Sequence, residues 1–217
     1  MYRLDIAFQK HPNNLLSELS HKYNSDKGAP ENSIQKLDWN YHIYTDIYYL
    51  LFNLNRQKIN TVFELGIGTN NLRYRSNMGT KGTPGASLRM WRDFFPNAVI
   101  IGADVDRDIL FQENRIETFY VDQTDESSIS ELWNKIDHDF EIMIDDGLHS
   151  FEANINFLSN SFHKLKIGGV YLIEDIKNEE VGFFEKYLKT NNFNFYLFKF
   201  DKSTNSLITN SFCIILK

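Results

Sequence analysis

Two acidic pairs, Asp145-Asp146 and Glu174-Asp175, and one histidine, His149, are the side chains of this chain best suited to carry a reaction. Each pair follows an apolar run, Glu141 to Ile144 and Val170 to Ile173, of the kind that forms a buried parallel strand. Both pairs would then emerge at the carboxyl ends of a sheet. Four carboxylates in one crevice repel one another unless a cation sits among them. Oxygen ligands with one histidine nearby and no multi-cysteine set select Mg²⁺, with Mn²⁺ or Ca²⁺ as substitutes, over Zn²⁺. In Asp145-Asp146-Gly147-Leu148-His149 the imidazole can take a proton from a hydroxyl that the metal has acidified. The competing reading is that some of these acids cap helices or face water. The other five histidines, His11, His21, His42, His138 and His163, have no such context.

A second set of residues suits a nucleoside-like ligand. The strand Thr61 to Leu65 runs into Glu64-Leu65-Gly66-Ile67-Gly68, where two glycines let the backbone turn sharply and approach a ligand. A dinucleotide fingerprint would continue with a third glycine opening a helix. Here Asn71 stands in that place and a long polar stretch from Leu72 to Gly85 follows, so a pyrophosphate is disfavoured. Glu64 instead suits a cationic ligand or one that presents amino and hydroxyl donors. Asp104 ends the second strand, where a carboxylate can accept from both hydroxyls of a ribose. Asp122 and Gln123 end the third, where they can bond an adenine edge, while Asp125 reads as a helix N-cap.

These positions presuppose a particular scaffold. Strands at Thr61 to Leu65, Val99 to Ala103, Thr118 to Val121, Glu141 to Ile144 and Val170 to Ile173 alternate with helices at Gly85 to Phe95, Asp125 to Ile136, Phe151 to Leu165 and Glu179 to Thr190. That alternation predicts a doubly wound, mostly parallel α/β sheet. Two last apolar runs, Phe193 to Phe200 and Phe212 to Leu216, are joined by the polar Asp201 to Ser206, too short for a crossover helix, so they should pair antiparallel. Residues 1–57 read as a helical extension and 58–217 as the ligand-binding domain. The extension holds helices at Asn13 to Ser20 and Tyr41 to Asn55, the second burying Ile43, Ile47, Leu50, Leu51 and Leu54. Tyr44 and Tyr48 would serve either a dimer face or intramolecular packing.

The 217 residues suffice for one domain with a sizeable core. A net charge of −6 leaves no basic field for nucleic acid. The single cysteine, Cys213, lies in an apolar run and reads as a buried thiol in a reducing compartment. No run is long enough for a membrane span and Met1 to Asp5 shows no signal pattern, which predicts a cytoplasmic protein without a membrane partner. Arg73, Arg75 and Lys81 read as solvated charge or as contacts to an anionic acceptor. Lys27 reads as a helix-end or ligand contact.

Glu64-Leu-Gly-Ile-Gly68, Asp104, Asp122-Gln123, Asp145-Asp-Gly-Leu-His149 and Gly168-Gly-Val-Tyr-Leu-Ile-Glu-Asp175 together resemble the class I S-adenosylmethionine-dependent methyltransferases, and among them the metal-dependent sugar O-methyltransferases that act on macrolides. The Ser25-Asp-Lys-Gly28 segment and the helix from Gly85 to Pro96 also look like family segments. The resemblance implies a seven-stranded sheet with a reversed C-terminal strand, and S-adenosylmethionine and Mg²⁺ (or Mn²⁺) as cofactors. It implies that Glu64, Gly66 and Gly68 surround the methionine part, that Asp104 holds the ribose, and that Asp122 and Gln123 lie beside the adenine, with Asp145 close by. Asp146 or Asp145, with Glu174 and Asp175, would bind the metal, Glu64 being the match for an acid that completes the metal shell in some members, and His149 would be the base. The implied acceptor is a sugar hydroxyl of a glycan or nucleotide-linked precursor, with a phosphoryl oxygen as an alternative and a homo-oligomer as a possible assembly. A nicotinamide-dependent oxidoreductase or epimerase of Rossmann type is the rival class.

Overall fold

The computed structural model describes residues 14–199 and 210–217. Met1 to Asp5, His11, Asn13 and the Asp201 to Ser206 connection lie outside the described residues.

Helices α1 (Leu15–Tyr23) and α2 (Tyr44–Phe52) precede β1 (Thr61–Leu65). There follow α3 (Ala86–Phe94), β2 (Val99–Asp104), a two-residue β3 (Gln112–Glu113), β4 (Ile116–Tyr120), α4 (Glu126–Lys135) and β5 (Phe140–Asp145). The chain continues through α5 (Phe151–Ser161), β6 (Leu165–Ile176), α6 (Val181–Thr190), β7 (Asn194–Phe198) and β8 (Ser211–Leu216). The eight strands form one sheet in the order β3-β4-β2-β1-β5-β6-β8-β7. Pairing is parallel from β4 through β6, and β8 runs antiparallel to both β6 and β7, as the polar connection required. The eighth strand, β3, is a short hairpin partner of β4 whose two exposed residues carry no apolar signal.

Alternation along β1 explains the two-layer core. Phe63 and Leu65 pack with Trp133 of α4, Phe157 of α5 and Phe184 of α6. Val62 joins Leu16 of α1, Tyr48 of α2 and Trp91 of α3 on the other side. A sheet covered on both faces needs strands that are apolar throughout, which makes Glu64, fully buried in the middle of β1, an exception that needs a partner.

The N-terminal segment shares this core, and its buried face differs from the expected one. Leu50, Leu51 and Leu54 are exposed, at 64%, 41% and 92%, whereas Tyr44, Tyr48 and Phe52 form the buried stripe. Those aromatics recur every fourth residue, pack against Trp91, Phe95 and Phe212, and thereby settle Tyr44 and Tyr48 as intramolecular. The reason is chemical as well as steric, because their hydroxyls reach two acids at the end of β6: Tyr44 donates to Asp175 at 2.8 Å and Tyr48 donates to Glu174. A leucine stripe would have left both acids without those donors. No helix of the described residues is long and apolar enough to cross a membrane.

Candidate active site

The carboxyl ends of β1, β2, β4, β5 and β6 open into one cavity of about 640 Å³. Gly66, Gly68, Asp104, Asp122 and Gln123 line it, and so do Asp146, His149 and Asp175. The volume falls within the ordinary range for a small-molecule site.

Gly66 shapes the floor. Its φ of +82° is open to glycine, and an added Cβ would sit 2.0 Å from the Asp146 carbonyl oxygen. The β1 turn therefore presses directly on the β5 turn, and Asp146 N donates to Leu65 O at 2.9 Å. Gly68 repeats the positive φ, at +84°, with only the flexible Met78 side chain near. Residues 66–85 then run as a loop that returns to α3, whose N-cap Gly85 donates to Ile67 O at 2.7 Å, so the helix does not open directly from the glycine pair as it does in a dinucleotide fingerprint. From β2, Asp104 accepts from Ile67 N and Asp106 N, both at 2.9 Å, which locks this carboxylate beneath the glycine turn.

Asp122 and Gln123 serve different ends. Asp122 accepts from Thr124 N at 2.8 Å and stands at the cavity wall. The Gln123 amide donates to both oxygens of Asp145 at 2.9 Å and accepts from Leu148 N at 2.8 Å, tying the β4 loop to the β5 loop. Asp145 is fully buried, and burial pushes its carboxyl up to about 6. Neither Asp145 nor Glu64 lines the cavity. Asp125 does cap α4, accepting from Ser127 N at 2.9 Å.

A positive charge does sit among the acids, and the chain itself supplies it. Lys27, from the loop after α1, lies 2.7 Å from Asp146, 2.7 Å from Glu174 and 3.1 Å from Glu64, with its side chain 2% exposed. Burial works against the ammonium, but these three acids outweigh it and hold its pKa well above the usual lysine range. The lysine is thus neither a helix-end contact nor a surface group, and part of the neutralisation expected of a metal is its doing. Glu64 is further held by Ser87 and Trp91 of α3, at 2.7 and 3.2 Å, and Glu174 by Tyr48. Three carboxylates around one ammonium leave surplus negative charge, and burial pushes Glu64, Asp146 and Glu174 upward.

Beyond Lys27 the remaining groups converge. One atom each of Asp146, His149 and Asp175 lie within 4.8 Å of one another. Lys27 takes Asp146 Oδ2, and Oδ1 lies 4.0 Å from His149 Nε2. His149 and Asp175 both adopt left-handed φ values, +54° and +52°, rare for residues with a Cβ and found where the surroundings impose them. The pairing of β6 with β8 changes register between Ile173 and Ile176, so the ladder is interrupted where Glu174 and Asp175 leave it. The His149 Nδ1 atom is buried with no hydrogen-bond partner among the described residues. Two carboxylates, one imidazole and surplus negative charge fit a hard divalent cation. Glu174 is drawn inward by Lys27 and Tyr48 and is not part of that group of three.

Sequence reasoning missed the residues that complete the site from the N-terminal segment. Asp26, Trp39 and His42 line the cavity, and His42, one of the histidines set aside, lies 3.9 Å from Asp175. Asn210 donates to Asp175 at 2.8 Å from beside β8. The available signal was charge arithmetic: several buried acids need a cation, and Ser25-Asp26-Lys27-Gly28 offered one. Of the three cations of the long loop, Arg75 lines the cavity, together with Tyr74, Ser76, Asn77 and Met78, whereas Arg73 does not and Lys81 pairs with Asp38 at 2.5 Å.

No family model matches the chain. Curated proteins do. It is 32% identical over 139 residues to 8-demethyl-8-alpha-L-rhamnosyl tetracenomycin-C 2'-O-methyltransferase of Streptomyces olivaceus, a match covering 64% of this chain and 34% of that protein. It is 35% identical to demethylmacrocin O-methyltransferase of Streptomyces fradiae, covering 62% and 32%. It is 32% identical to mycinamicin VI 2''-O-methyltransferase of Micromonospora griseorubida, covering 74% and 36%. The matches span about a third of the length of these relatives. Among solved structures, the MycE methyltransferase from the mycinamycin biosynthetic pathway, in complex with Mg and SAH, aligns with a TM-score of 0.67 at 24% identity, covering 96% of this chain and 55% of that one. The chain has the class I S-adenosylmethionine-dependent methyltransferase fold, and the relatives it resembles in sequence are O-methyltransferases of natural-product assembly.

Proposed function

We propose that the chain transfers a methyl group from S-adenosylmethionine to a sugar hydroxyl with the help of a divalent cation. The observation that carries this reading is the convergence of Asp146, His149 and Asp175 within 4.8 Å, in the same cavity as Gly66, Gly68, Asp104 and Asp122. The relatives' names describe methyl transfer to oxygen, and the MycE structures contain Mg and SAH, one of them with mycinamycin VI.

The glycine turn and Asp104 would hold the amino-acid and ribose parts of the donor, with Asp122 and Gln123 beside the base. S-adenosylmethionine supplies a methyl on a sulfonium centre, ready for in-line displacement. Asp146 and Asp175 would hold Mg²⁺ or Mn²⁺, with Glu174 behind them setting the local charge through Lys27. The chemistry such an ion supplies is stabilisation of negative charge on the acceptor oxygen. His149 takes the hydroxyl proton, and its strained backbone fixes where the imidazole stands. Orientation alone leaves a poor nucleophile, so the proton acceptor and the surrounding charge matter most.

Incubation with S-adenosylmethionine, Mg²⁺ and a panel of glycosides and nucleotide-linked sugars, read by mass spectrometry, tests this reading. Methylation on a sugar oxygen supports it. Transfer confined to phosphoryl oxygens would replace the acceptor class. A thermal shift with NAD and none with S-adenosylhomocysteine would replace the enzyme class.

A further inference from the structure

We propose that Trp39, Asp26 and His42 form the subsite for the acceptor's pyranose ring, an aromatic platform with a polar edge; the assignment rests on the sugar O-methyltransferase reading. All three residues line the cavity that also contains Asp146, His149 and Asp175. Trp91 and Trp133 are buried in the core, at 0% and 7%, whereas Trp39 is only partly covered. No aromatic ring of the described residues stacks on its indole. Gly79 stands at the ring's edge with φ +58°, where a Cβ would lie 3.5 Å from the indole, in ordinary van der Waals contact.

The orientation of this indole is fixed. Trp39 Nε1 donates to Asp26 Oδ2 at 3.0 Å, and His42 N donates to the Asp26 carbonyl at 2.7 Å, which pins the 26–42 loop at its base. His42 stacks on Tyr44 with ring centroids 4.8 Å apart and planes inclined by 6°. Its Nε2 lies 3.9 Å from Asp26 and its Nδ1 3.9 Å from Asp175, and Nδ1 is buried without a hydrogen-bond partner. A pyranose has an apolar face of C–H bonds and a rim of hydroxyls. It therefore matches an aromatic plane flanked by a carboxylate and an imidazole. Asp175 links the two regions, since it belongs to the candidate cation group and neighbours His42. The donor-side residues Gly66, Gly68, Asp104 and Asp122 come from other loops, so the two ligands divide the cavity between the sheet ends and the N-terminal segment.

Saturation-transfer NMR on the protein loaded with S-adenosylhomocysteine, titrated with the methyl glycosides of L-rhamnose, D-glucose and D-galactose, tests the subsite. At least one glycoside should bind saturably with strongest transfer to its ring C–H protons. Trp39→Ala should weaken that binding about tenfold or more, Trp39→Phe should retain most of it, and His42→Ala should lower it by less. Affinity for S-adenosylhomocysteine and the melting temperature should hold in all three. In methyl transfer, Trp39→Ala should raise the acceptor KM with kcat largely kept. Absence of saturable glycoside binding, wild-type binding in Trp39→Ala, or a loss of S-adenosylhomocysteine affinity in that variant would each overturn the assignment. Trp39-dependent glycoside binding without methyl transfer would instead sink the enzymatic reading and leave the subsite standing.

Discussion

Lys27 Nζ lies 2.7 Å from Asp146 Oδ2, so the carboxylate that faces His149 through one oxygen is anchored through the other by a lysine from a distant part of the chain. The same ammonium holds Glu64 and Glu174. Replacing it by Lys27→Met leaves the buried Glu64 and Glu174 and the partly buried Asp146 without their counter-charge. Removing one partner of a buried ionic group costs about 3–5 kcal/mol, and denaturant unfolding at neutral pH should show a loss of that order. The loss should shrink in acid, where the carboxyls become protonated. A change within experimental error at neutral pH would show that the acids do not depend on Lys27.

The two glycines of the first turn should separate in experiment. Gly66→Ala places a Cβ 2.0 Å from the Asp146 carbonyl oxygen at a φ of +82°, whereas in Gly68→Ala the nearest atom is the side chain of Met78 at 3.1 Å. Strain and overpacking together should lower the stability of Gly66→Ala by roughly 2–4 kcal/mol. Calorimetry should show the loss of S-adenosylhomocysteine binding, because the β5 turn must move. Gly68→Ala should cost less. Equal effects would remove the special role of the Gly66 contact.

Two carboxylates should give pH dependences of opposite sign. Burial pushes Glu141 up, but Lys166 at 2.6 Å, Thr61 and the backbone of Asn60 outweigh it and hold its pKa below the ordinary value. Its contribution is present above the unfolded carboxyl's pKa and lost as pH falls through the lower folded value. Glu141→Gln should therefore cost about 1–2 kcal/mol at neutral pH and almost nothing near pH 3. Asp145, pushed up to about 6 by burial, favours the folded state most in acid and loses that contribution as pH rises through 6. Asp145→Asn should accordingly gain stability relative to the parent chain between about pH 4 and 7. Melting temperatures against pH for both variants check the signs, and parallel curves would contradict them.

The parallel sheet, its reversed β8 and the acidic strand ends were legible because buried strands and period-two alternation are local signals. The lysine was not. Lys27 belongs to a polar loop 37 positions before Glu64, and nothing local marks a lysine that the tertiary fold will bury. The face of α2 was misjudged for a related reason: leucine and tyrosine weigh alike in a hydrophobic pattern, and only the acids awaiting the Tyr44 and Tyr48 hydroxyls decide which stripe turns inward. Gln123 illustrates a third limit, since its place after a strand was visible while its bonds to Asp145 and Leu148 were not.

Methyl transfer to a glycoside acceptor, followed with and without chelator, bears most directly on the reaction proposed for Asp146, His149 and Asp175. Activity should vanish in chelator and return with Mg²⁺. Asp146→Asn should lose both the turnover and the response to metal. His149→Ala should bind S-adenosylhomocysteine normally and lose about 10²–10⁴-fold in kcat. Full turnover by the chelated parent chain and by His149→Ala would contradict the metal-and-base account.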